Sequence, residues 1–153
     1  MVEARMTAVD GVRAYLETVR ALTKTRVGYD GYAYKGPADL VLQRGTVFTP
    51  SPFPRQYARS QGVPQHCFDN AYVLATRTRG RLRYVEGYAA GIIPVEHGWC
   101  VDVDDRVVDP TWPDGVGVAY LGIVVDLEVV RRARRTENAS ALFDWQRRYP
   151  LCR

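Results

Sequence analysis

The chain's capacity for chemistry rests on a small set of side chains. Its 153 residues include three cysteines, at positions 67, 100 and 152, and two histidines, His66 and His97. Imidazole acid–base chemistry near neutral pH therefore falls to one of two rings. His97 stands thirty residues after Cys67 and twelve before Asp109. Nucleophilic catalysis by a thiol needs a thiolate, an imidazole that takes and returns its proton, and a group that orients the imidazole. Cys67, His97 and Asp109 are expected to fill those roles. His66, adjacent to Cys67, is expected to face loop or solvent, because neighbouring side chains diverge. A zinc site built from Cys67, His97 and Cys100 would lack a second paired ligand motif. No metal or organic cofactor is implied.

These residues need elements to hold them. In CFDNAYVLATRTRG, starting at Cys67, the residues Cys67, Ala71 and Leu74 share one helical face, with Pro64 upstream and Gly80 beyond the end. A helix beginning at or just before Cys67 is expected. The unpaired N–H groups and dipole of a first helical turn favour an anion at such a position, whereas neither Cys100 nor Cys152 opens a helix. The stretch RLRYVEGYAAG alternates Tyr84, Glu86 and Tyr88 against Val85, Gly87 and Ala89, a strand pattern. EHGWCVDV, an acidic turn and RVVDPTW then form a hairpin carrying His97 and Asp109. Turn length decides whether those two meet. A three-residue connection at 103–105 pairs Trp99 with Asp109 and makes Asp109 a diagonal neighbour of His97 on one face. A two-residue turn at Asp104-Asp105 points Asp109 to the other side. The odd-length turn is expected.

The remaining elements follow the same rules. From Thr7 to about Lys24, Val12, Tyr15, Leu16, Val19 and Leu22 recur at helical spacing, and Thr7 with Asp10 resembles a capping box. A Gly/Tyr loop over Gly28–Gly36 precedes a short helix from Pro37 to Gly45. Residues 49–64 hold four prolines in sixteen and exclude a long regular element. VAYLGIVVD supplies another strand, and 126–135 and 138–148 are expected to be closing helices. The expectation is an α+β fold, helices packed on a mainly antiparallel sheet, in one domain over 1–153. The loops at 28–36 and 46–64 are expected to wall the pocket.

Composition narrows the class. With 46% apolar and 25% charged residues the chain can bury a core. No run reaches the roughly 18 apolar residues of a membrane span, and the first residues lack a secretory pattern. A cytoplasmic protein without a membrane partner is expected. An odd cysteine count argues against a disulfide framework. The net charge of +4 is a difference between regions: residues 1–81 carry +6, residues 82–128 carry −7 and residues 129–153 carry +5. Nineteen of the 21 basic residues are Arg, densest at 131–135. That cluster is more often a solvated helix face than a nucleic-acid contact, so nucleic acid is possible but not favoured as a partner.

The segments QHCFDNAYVLATRTRGRLRYVEGYA, HGWCVD and VVDPTW together resemble the core of the transglutaminase-like and papain-like cysteine-enzyme superfamily, over roughly residues 61–112. In that pattern a cysteine opens a helix, a histidine lies on a strand as His-small-Trp, and an aspartate follows as Asp-Pro-Thr. Cys67, His97 and Asp109 take those positions, with Gly98 where Ala is common. Gln61 stands six residues before Cys67, like the oxyanion glutamine of papain-like proteases, with Gln65 and Tyr57 as rivals. The resemblance implies acyl transfer or hydrolysis on a protein, peptide or small acyl or amide substrate. Trp99, Tyr88 and Tyr57 are expected to contact that substrate, with Glu86 and Glu96 as further pocket residues. The alternative is a non-enzymatic protein of the same fold that contacts a protein or nucleic acid through the Arg-rich helix.

Overall fold

A computed structural model of the chain describes residues 2–25 and 28–153. Helix α1 (Val2–Lys24) buries Val12 and Leu16, and α2 (Pro37–Arg44) buries Leu40 and Val41 before stopping at Gly45. Strand β1 (Thr46–Phe48) and a 3-10 turn over Arg55–Ser60 lead to α3 (Cys67–Arg77). Strands β2 (Arg83–Ala90), β3 (Pro94–Val101), β4 (Val107–Val108) and β5 (Ala119–Val124) follow, then α4 (Leu127–Arg134). The five strands form one antiparallel sheet in the order β1-β5-β2-β3-β4. An α+β architecture is the result. None of its described helices is long and apolar enough to cross a membrane.

The period-2 pattern of β2 divides the sheet's faces. Tyr84 and Tyr88 point toward the helices, where two apolar clusters join them to α1 and α2 on one side and to α3 and α4 on the other. Val85 and Ala89 point the opposite way, with Phe48, Trp99, Val101, Val107 and Tyr120. That second face needs no covering layer of helices because the sheet curls until its edges meet. Thr49, just past β1, donates its N–H to Asp105 O at 3.1 Å and accepts from Val107 N–H at 2.8 Å. The curl brings Phe48 of one edge strand against Trp99 of β3, ring centroids 6.1 Å apart.

Two expected elements differ. The first helix starts at Val2, so Thr7 lies within it and not at its N-cap; the preceding Glu-Ala-Arg-Met run favours helix and offers no stop. The expected helix over 138–148 is a series of turns. The backbone N–H groups of Ala141 and Leu142 donate to the carboxylate of Glu86 at 2.9 and 2.7 Å, and Arg148 and Tyr149 adopt left-handed backbone at φ 56° and 52°. A buried strand carboxylate thus pins this segment to β2, and the left-handed residues end it.

Candidate active site

Cys67 is the first residue of α3, at the point where the Pro-rich segment ends and helical pairing begins. His66 occupies the N-cap without a side-chain capping bond, and Gln65 before it turns left-handed at φ 69°. Asp69 places a carboxylate in the first turn, where the helix dipole favours one. Arg134 of α4 pairs with Asp69 and lies 4.5 Å over the ring of Tyr72. Arg131 and Arg132 pair with Glu128. Much of the basic 131–135 run is thus engaged within the protein, part of it in holding α4 against the start of α3.

The hairpin has the odd-length connection. Cys100 pairs with Val108 and Val101 with Val107, a register that continues to Trp99 opposite Asp109. Asp102 N–H donates to Arg106 O at 3.0 Å, which leaves 103–105 as the loop, with Asp105 left-handed at φ 59°. His97 and Asp109 consequently share a face, and the imidazole Nε2 is 2.8 Å from Asp109 Oδ2. Both side chains are almost wholly buried. The Cys67 thiol lies near enough to the ring to raise its pKa as well. Burial alone would lower the imidazole pKa. The bonds to Asp109 and Cys67 and the charge of Asp109 outweigh it and hold His97 up at about 9. Cys67 is half-buried, whereas burial pushes the Cys100 and Cys152 thiols up, the latter to about 12.

Asp109 is fully engaged. Its Oδ1 accepts the N–H groups of Thr111 (2.9 Å) and Trp112 (3.2 Å), and its Oδ2 accepts the Tyr120 hydroxyl at 2.9 Å as well as His97. Burial and the neighbouring Asp109 charge raise the pKa of Tyr120, so its hydroxyl remains a donor. Trp112 stacks on the imidazole at 4.1 Å, and Trp99 lies parallel on it at 6.1 Å. Asn70, on the first turn of α3, donates to Val63 O (2.8 Å) and to Thr111 Oγ1 (2.9 Å) and so ties the Pro-rich loop to the Asp-Pro-Thr segment. Sequence reasoning missed Tyr120, Trp112 and Asn70 as contributors. The only signal was Trp112 and Thr111 adjoining Asp109 in DPTW, since Tyr120 reaches Asp109 across eleven residues and Asn70 reaches Thr111 across 41.

The remaining expected residues divide. Gln61 is exposed, and its neighbour Gly62 is fixed beside the site: its N–H donates to Pro110 O at 2.8 Å, and a Cβ there would fall 2.0 Å from Asn70 Cγ. Trp99 has no exposed surface and supports the imidazole from within the sheet's curl, so it presents no face to a substrate. Tyr57 packs half-buried against the α3 core. Tyr88 is buried among the α1 and α2 contacts and lines a separate cleft, and Glu86 is wholly buried beneath the helices. A cleft of about 230 Å³ behind Asp109 is walled by Pro50–Phe53, Trp112 and Tyr120. Among the described residues no cluster of His, Cys, Asp and Glu could hold a metal ion. Comparison with known protein families, curated proteins and solved structures finds no match for this chain.

Proposed function

We propose that this chain is a cysteine-dependent acyl-transfer or hydrolytic enzyme of the transglutaminase-like and papain-like type, with Cys67 as nucleophile, His97 as general base and acid, and Asp109 as the orienting carboxylate. One observation carries the reading: a single buried imidazole has a carboxylate at 2.8 Å on Nε2 and lies near the thiol that opens a helix. An Asp–His pair alone is a common structural motif. An Asp–His pair facing a thiol at a helix N-terminus combines the three parts that thiol catalysis needs. The order of elements, a helix opened by cysteine and then antiparallel strands carrying histidine and aspartate, supports the same superfamily.

The chemistry follows from these positions. With the Cys67 proton held on the His97 imidazole, the thiolate attacks the carbonyl carbon of an amide, ester or thioester, forming an S–C bond while the carbonyl π electrons move onto oxygen. The Cys67 backbone N–H, one of the unpaired donors of the first turn, and the Gln61 side-chain amide are the proposed donors to that oxyanion. Collapse breaks the bond to the leaving amine, alcohol or thiol, which takes the proton from His97. The thioester on Cys67 is then attacked by water or an amine, with His97 as base, and the thiol is restored. Asp109 keeps the imidazole oriented and stabilises its cationic form, while Trp112 and Trp99 hold the ring in plane.

The test is acylation by 4-nitrophenyl acetate. A stoichiometric burst of nitrophenolate with the acetyl group mapped to Cys67, abolished in Cys67→Ala, is the expected result. Absence of the burst, or acetylation elsewhere, overturns the reading.

A further inference from the structure

A second cleft, of about 260 Å³, lies on the helical side of the sheet, away from the His97–Asp109 pair. Its walls are aromatic: Tyr29, Tyr88, Phe143, Trp145 and Tyr149 converge on it, over an aliphatic floor from α1 and the start of α2. Tyr29 and Tyr149 stack at 6.2 Å, and Tyr88 meets Phe143 edge-on at 5.4 Å. Among the described residues its one carboxylate is Glu96, which has neither ion-pair nor hydrogen-bond partner there, and no described cation lines the cleft. Burial and the nearby Glu96 charge keep the Tyr88 phenol protonated. Trp145 stands at the rim with 66% of its surface exposed, although a large indole normally gains by being covered.

Aromatic faces are electron-rich, and several of them around one carboxylate attract a weakly hydrated positive charge. An anion would meet Glu96 unfavourably. A neutral apolar ligand would fill the aromatic walls and leave the carboxylate desolvated without a partner. We infer that this cleft binds an organic cation of the alkyl- or trimethylammonium class, its charge facing Glu96 and its methyl groups against Tyr88, Phe143 and Trp145. The site does not depend on the chemistry of Cys67. It is nevertheless near the thiol-bearing turn: Phe68, the residue after Cys67, packs against Phe143 at 5.9 Å, and Glu96 directly precedes His97. A bound cation would therefore sit one side chain away from the start of α3.

The test compares choline with 3,3-dimethylbutan-1-ol, which has the same shape and hydroxyl group without the charge. Binding is followed by the Trp145 indole N–H resonance and by the methyl signal of each probe. Choline is expected to bind saturably and at least about 5-fold tighter than the alcohol. Glu96→Gln should collapse that ratio, and Trp145→Ala should weaken choline. Both residues are exposed, so unchanged thermal midpoints verify that the variants fold. Choline binding should persist in Cys67→Ala, which separates this site from the acyl chemistry. Equal binding of the two probes, no shift at Trp145, or a ratio that survives Glu96→Gln overturns the inference.

Discussion

Two carboxylates lie buried on opposite faces of the same sheet, and each accepts four hydrogen bonds. Glu86 receives the Tyr84 and Ser140 hydroxyls and the N–H groups of Ala141 and Leu142, every bond between 2.7 and 2.9 Å. Asp109 receives Tyr120, two backbone N–H groups and His97. The counts are equal, but only Asp109 has a partner that can carry positive charge. Around Glu86 burial raises the carboxyl pKa, and four neutral donors only partly oppose it. Around Asp109 the balance appears on the partner, with the imidazole held up at about 9. Hydrogen-bond number therefore does not separate a structural pin from a chemical group. The proposed chemistry rests instead on the partner's ability to carry a proton near the Cys67 thiol.

The largest effect on stability is expected at the pin. Glu86→Ala leaves four buried donors without an acceptor and should cost about 3–5 kcal/mol. Hydrogen exchange should then show residues 138–148 opening first. The comparison fails if this variant keeps its stability.

At the other carboxylate, charge is the variable. Asp109→Asn keeps the shape and removes the charge, so burial should prevail and His97 should titrate at or below the ordinary histidine value instead of near 9. With only two imidazoles in the chain, NMR titration reads this directly. In the wild type, the folded-state pKa of His97 lies above the unfolded value of 6.5. Its contribution is thus fully present below about pH 6.5 and is lost as pH rises through about 9, at most about 3 kcal/mol. Glu86 has the same sign, with its loss beginning in the carboxyl range above 4.5. Denaturant midpoints across pH should lose the upper step alone in Asp109→Asn.

The smallest effect expected is at Gly98. A Cβ there would stand 2.8 Å from Phe68 Cδ1 and 3.2 Å from Phe68 Cα, so Gly98→Ala must push the first turn of α3 outward. A cost of about 1–2 kcal/mol, with slower Cys67 alkylation, is expected from paired denaturation and labelling measurements.

These contrasts also show which features were legible before the fold was known. The helix opened by Cys67 and the face shared by His97 and Asp109 follow from local rules, periodicity for one and turn parity for the other. The turns at 138–148 were not legible, because the group that diverts them, Glu86, lies 54 to 56 residues earlier. Tyr120 on Asp109 was hidden for the same reason, as was the meeting of the sheet edges at Thr49 and Arg106. Trp99 shows the opposite error: its place in a His-small-Trp motif suggested contact with a substrate, while the curl of the sheet buries it entirely.

The central claim is that Cys67, His97 and Asp109 act as one unit, and alkylation by limiting iodoacetamide across pH tests it most directly. Cys67 should react first and, near neutral pH, faster than a free cysteine, while the buried Cys100 and Cys152 stay unlabelled. His97→Ala should remove that advantage. A Cys67 that reacts no faster than a free cysteine, and is unchanged by His97→Ala, would contradict the account.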